Sequence, residues 1–127
     1  MGFEPLEEKR MYRRAEVLSD AIWEAVSGWD WFARKVIGGQ LVAAADSIGA
    51  NIAEAGGRFH PADVKKFLYY SRGSLRETKF CIRRAVARNL VDPARAATWD
   101  EELEQLSREL NMAINFQKRR AAFPPSD

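Results

Sequence analysis

Three polar side chains recur at one-turn spacing in the stretch AADSIGANIAEAGGRF: Ser47, Asn51 and Glu54. At about 100° per residue they share one helical face. A hydroxyl, an amide and a carboxylate in a row could support catalysis, or could fix one helix against another. Catalysis would need a base, a nucleophile or a metal beside them. The chain has one histidine, His60, in front of Pro61, and one cysteine, Cys81, about six turns further along. A Ser/His/Asp or Cys/His arrangement would have to use His60. No Glu-x-x-His pair occurs, so the inward-facing ligands of a helical di-metal centre are missing. GGRFHPADVKK lacks the Gly-Lys-Ser/Thr ending of a phosphate loop. The adjacent carboxylates Glu7/Glu8 and Glu101/Glu102 point to different helical faces. The expectation is a chain with no catalytic residue, no metal and no cofactor, in which Cys81 is a small buried hydrophobe.

A different chemistry is written along residues 61–89. Eight basic side chains stand there against two acidic ones, Asp63 and Glu77, although the whole chain nets only +2. The remainder is therefore mildly acidic. On a helical projection Lys65, Arg72, Arg76, Lys79 and Arg83 fall within about 40° either side of one line. Tyr69 and Phe80 edge that line, while Phe67, Ser71, Leu75, Ile82, Ala85 and Val86 occupy the opposite arc. Acidic partners four residues away are nearly absent, so like charges repel along the ridge. Three environments would suit it: nucleic-acid phosphate, an acidic face of another protein or subunit, or solvent.

Four helical windows must position these residues, and no strand pattern appears. The first runs from about residue 5 to 26, with Ala15, Leu18, Ile22 and Ala25 on one stripe. Asp30 is the N-cap of the second, about 30–55, whose stripe is Ile37, Leu41, Ala44, Ile48, Ile52 and Ala55. Gly56 and Gly57 end it, in the left-handed conformation that glycine adopts past a helix. The third opens at Pro61 and reaches about Asn89. Asp92 and Pro93 start the fourth, which carries Trp99, Leu103, Leu106, Leu110, Ala113 and Ile114 to about residue 120 and leaves 121–127 as a tail. Helices of similar length with short connections form an antiparallel up-down-up-down four-helix bundle, an all-α fold in a single domain. The second helix is rich in small residues, among them Gly38, Gly39, Ala43, Gly49, Ala50 and Ala53. Close approach of a neighbouring helix or subunit would offset their cost.

Composition sets outer limits. With 127 residues, 46% of them hydrophobic and 30% charged, the chain can bury one core and is not a disordered segment. The start MGFEPLEEKRMYRR is too charged for a secretory signal, and VIGGQLVAAA is shorter than the roughly 20 residues that span a bilayer. A single cysteine excludes an internal disulfide. The expected setting is the cytoplasm, away from membrane.

SIGANIAEAGGR followed by FLYYSRGSLRETKF resembles the four-helix bundle family of 23S rRNA intervening-sequence proteins, also called S23 ribosomal proteins. The matching positions are Ser47, Ile48, Asn51, Ile52, Ala53, Glu54 and Arg58, then Phe67, Leu68, Gly73, Ser74, Leu75 and Glu77. Val42 and Ala43 stand where the family commonly has arginines. The resemblance implies a homopentameric ring of bundles and an association with RNA. It extends to the accessory variability proteins of diversity-generating retroelements, which bind a reverse transcriptase and nucleic acid.

Two roles follow. One is a non-enzymatic homo-oligomeric scaffold or adaptor whose basic ridge meets RNA or a nucleic-acid-bound partner. The other is an interaction protein with no nucleic-acid role, its ridge facing acidic surfaces of neighbouring subunits. In both, Ser47, Asn51 and Glu54 are expected to join Arg58, Ser74 or Glu77 in a buried or half-buried polar cluster that sets register.

Overall fold

Asp30 and Asp92 begin two of the helices as their side chains dictate. In the computed structural model, which describes residues 5–123, the Asp30 carboxylate accepts from the Ala33 N–H at 3.0 Å. The Asp92 carboxylate accepts from the Ala94 N–H at 3.1 Å, one residue after Pro93 at the first helical position. Four helices result: α1 (Pro5–Ser27), α2 (Trp31–Gly56), α3 (Pro61–Ala87) and α4 (Pro93–Ala122). Among the described residues there is no strand. The expected tail begins two residues later than the sequence suggests, and residues 124–127 lie outside the described part.

The helices form one bundle in which α2 packs on α1 and α3, while α4 packs on α3 and α1. Ile22, Leu41, Ile48, Ile52, Leu68, Ile82, Leu103, Leu106, Leu110 and Ile114 are all completely buried at its centre. The apolar stripes read from spacing point inward with two adjustments: on α1 Val26 is buried and Ala25 only half-buried, and on α3 Phe67 and Val86 are half-buried while Val64, Leu68, Thr78 and Cys81 are buried. By length and composition α2 is apolar enough to cross a membrane, and Leu41, Ala44, Ala45, Ile48 and Ile52 are its buried face in the bundle.

Two backbone features depart from expectation. Residues Arg34–Gly38 form a π turn inside α2, in which the Gly39 N–H donates to the Arg34 carbonyl. Its cause is the run of buried residues Ala33, Ile37, Leu41 and Ala45, spaced four apart three times over. Each such step overshoots a regular helix by about 40°. A wider turn absorbs the excess and keeps all four against the core. The second departure is at the helix ends. Gly57 is right-handed, with φ −86°, so the left-handed stop expected there does not occur. The left-handed residue is Asn89, with φ 59°. There the Leu90 N–H donates to the Ala85 carbonyl at 2.9 Å and the Asn89 N–H to the Val86 carbonyl at 3.0 Å. This pair of bonds closes α3 and satisfies its last carbonyls.

The small residues of α2 divide by function. A Cβ on Gly38 would lie 2.7 Å from the Val26 Cγ1, so here α1 does approach too closely for any side chain. Gly49 faces Tyr12 and Ala15 at ordinary contact distance. Gly39, Ala43, Ala50 and Ala53 instead face outward and are exposed.

Candidate functional site

α3 buries Val64, Leu68, Ser71, Leu75, Thr78, Cys81, Ile82 and Ala85, which leaves its opposite side for the basic residues. The five ridge residues share that side but differ in their surroundings. Arg76 and Arg83 are exposed, whereas Lys65, Arg72 and Lys79 are half-buried. Lys79 forms an ion pair with Glu104 of α4. The Arg72 guanidinium donates to the Asn111 carbonyl Oδ1 at 3.0 Å and lies 4.8 Å from the centre of the Tyr69 ring. Two of the five are thus anchored to α4. Among the described residues no ion pair engages Lys65, Arg76 or Arg83. Phe80, on the same side, is about half exposed. The ridge is therefore cationic and aromatic, with its centre steadied by α4.

The polar row of α2 does not become one cluster with α3. The Asn51 amide donates to the Ser47 carbonyl at 2.9 Å, one turn back on its own helix. Glu54 pairs with Arg58 at 3.1 Å, and both are exposed. The Ser74 carbonyl accepts from the Thr78 hydroxyl at 2.8 Å, and Glu77 is exposed with no bond to Asn51 or Glu54. Side chains four residues apart on a helix reach one another before they reach a neighbouring helix, so these groups are satisfied locally. The bond across the α2–α3 seam is made by Ser71, whose hydroxyl donates to the Ile48 carbonyl at 2.8 Å. Its signal was present in the sequence: a hydroxyl in an otherwise apolar arc must find an acceptor.

Other polar links between helices need the three-dimensional register to be seen. The Arg14 guanidinium of α1 donates to Glu102 at 3.0 Å and to Glu109 at 3.2 Å, both on α4. The Ser19 hydroxyl donates to Asp46 of α2. Asp100, Glu101, Glu102 and Glu104 line a shallow groove with Arg14 and Arg108. Among the described residues no buried side-chain nitrogen or oxygen is left without a hydrogen-bond partner.

The two side chains that could have served covalent catalysis are far from equivalent. His60 is exposed in the turn before α3 and stands edge-on to Phe59, with ring centres 5.6 Å apart. Cys81 is fully buried. Burial pushes its thiol above the ordinary value of 9.0, and the negative charge of Glu77 pushes it the same way. A protonated thiol sealed in a core is a poor nucleophile.

Comparison with known proteins fits this geometry. The family model described as 23S rRNA-intervening sequence protein matches residues 7–112. The crystal structure of a protein of unknown function from the S23 ribosomal protein family of Bacteroides thetaiotaomicron VPI-5482 superposes with a TM-score of 0.77 at 16% identity. The match covers 86% of this chain and 98% of that one, and at such low identity it speaks for the fold. No curated protein sequence matches the chain.

Proposed function

The chain belongs to the 23S rRNA-intervening sequence protein family, and from that premise we propose that it is a non-enzymatic, homo-oligomeric scaffold that binds RNA along α3. The observation that carries this reading is the trio Lys65, Arg76 and Arg83. They lie on one helical face, and among the described residues no carboxylate forms an ion pair with any of them. Cations in that position repel one another in the free protein and gain when they neutralise a phosphate backbone and release its condensed counterions to solvent. Arg72 and Lys79, tied to α4, hold the middle of the surface in shape. The sealed, protonated Cys81 is withdrawn from nucleophilic chemistry.

In this reading the helices run antiparallel, up-down-up-down. Arg72 opposite Asn111 and Lys79 opposite Glu104 support it, since the numbers rise on one helix as they fall on the other. The copies assemble as the homopentameric ring that the family resemblance implies. The outward small residues Gly39, Ala43, Ala50 and Ala53 give α2 a face that another helix can approach.

A second reading has its own support. The acidic groove at Asp100, Glu101, Glu102 and Glu104 is complementary in charge to the ridge, so one copy could dock its α3 there on the next. One experiment separates the two. Binding of an RNA oligonucleotide, followed by fluorescence anisotropy across salt, should weaken with a log–log slope of roughly 0.7–0.9 per phosphate contacted. The Lys65→Ala/Arg76→Ala/Arg83→Ala variant should lower affinity and flatten that slope while its mass by light scattering stays unchanged. Unaltered RNA binding in this variant would sink the first reading, and a fall in oligomer mass would favour the second.

A further inference from the structure

At the α2–α3 turn and on the first turns of α3, exposed rings stand beside cations. Phe59 is 64% exposed in the turn, where an apolar ring gains nothing from water. It is nevertheless held in place. Its carbonyl accepts from the Arg120 Nη2 of α4 at 3.3 Å, and the guanidinium stands 5.9 Å from its ring centre. On the first turns of α3, Phe67 lies 4.8 Å from the Arg58 guanidinium and 5.4 Å from the Lys66 ammonium. Tyr70, 52% exposed, meets Phe67 edge-on with centres 5.7 Å apart. The ion pair with Glu54 keeps Arg58 over its ring. Two further carboxylates belong to this end, Asp63 in the first turn of α3 and Glu8 against Gly56, so that with Glu54 three carboxylates stand near Arg58, Lys66 and Arg120, and it is the placing of the cations against ring faces that marks the surface.

Cations fixed beside aromatic faces suit a ligand that offers both flat rings and negative charge at short intervals. We infer that this surface binds single-stranded RNA, with unpaired bases stacking on Phe59 and Tyr70 and the adjoining phosphates lying against Arg58 and Lys66. The inference rests on the RNA reading given above and names the form of RNA. A duplex keeps its bases stacked on one another and cannot offer them to a protein ring. An acidic peptide would use the cations and leave the exposed rings without a role. Base stacking on aromatic side chains needs neither a groove nor a sequence code.

The test compares three ligands on the full-length protein: a 12-nucleotide RNA, the same backbone with abasic sugars throughout, and the 12-base-pair duplex. The single strand should bind at least tenfold more tightly than the other two. Phe59→Ala and Tyr70→Ala should each weaken single-strand binding about tenfold, leave the abasic strand unaffected and leave the salt slope unchanged. Phe59→Trp should restore binding. Because both rings are exposed, thermal melts should show these variants folded. Equal affinity for the three ligands, or Ala variants that bind like wild type, would overturn this inference while a steep salt dependence kept the RNA reading intact. Absence of binding to any of the three would overturn both.

Discussion

The Ser71 hydroxyl of α3 donates to the Ile48 carbonyl of α2 at 2.8 Å, and both residues are fully buried. It is the polar link that registers these two helices. A neutral hydrogen bond of this kind contributes about 1 kcal/mol net. Ser71→Ala should therefore lower unfolding stability by about 1 kcal/mol and the melting midpoint by about 3–5 °C. Urea denaturation of the two proteins is the check, and an unchanged midpoint would reduce Ser71 to a filler of space.

Two glycines make opposite predictions. Gly38→Ala would drive a methyl to 2.7 Å from Val26, and overpacking of this order costs about 1–3 kcal/mol. A methyl on Gly73 would meet nothing within 4 Å, and this helical position is exposed. Gly73→Ala should stabilise by about 0.5–1 kcal/mol, because alanine loses less backbone freedom on folding. Paired urea titrations would decide, and the prediction fails if the two changes move stability in the same direction.

Stability at high pH should depend on Cys81. Burial first and Glu77 second hold its thiol protonated above the ordinary 9.0. Below 9.0 folded and unfolded chains both keep that proton, and the contribution is fully present. As pH rises through 9.0 the unfolded chain releases a proton that the folded one retains, which shifts the balance toward unfolding. Wild type should thus lose stability relative to Cys81→Ala between pH 8 and pH 10.5. A constant difference across that range would show that the thiol is equally acidic in both states.

The bridge from Arg14 to Glu102 and Glu109 ties α1 to α4. Arg14→Ala should cost about 1 kcal/mol in low salt and less in 0.5 M NaCl, since partly exposed pairs are screened. Stability measured at both ionic strengths tests this, and a salt-independent loss would point to lost packing of the arginine stem instead.

What the sequence made legible was local. Asp30 and Asp92 announced their helices because capping depends on the next three residues only. The side of α3 that is basic could be read from its period. Which of those cations are occupied could not, because Lys79 meets Glu104 and Arg72 meets Asn111 through the register of α3 against α4, which periodicity does not encode. The same gap explains the polar row on α2. Its face was read from spacing, yet Asn51 turned back to the Ser47 carbonyl on its own helix and Glu54 to Arg58 in the turn just after it, and Ser71 supplied the link from the other side. The end of α2 was misjudged because glycine permits a left-handed residue without requiring one, whereas Asn89 adopts it at the end of α3.

The π turn at Arg34–Gly38 is equivalent to one surplus residue in an otherwise regular spiral. Omitting Val36, whose side chain points away from the core, would let the segment relax into ordinary α geometry. Ala33 and Leu41 would both keep their inward aim, with the intervals along Ala33, Ile37, Leu41 and Ala45 becoming three, four and four. Loss of a single codon at this point should therefore leave both flanking stretches in place, and a thermal melt of the Val36 deletion variant close to that of wild type is the expected result.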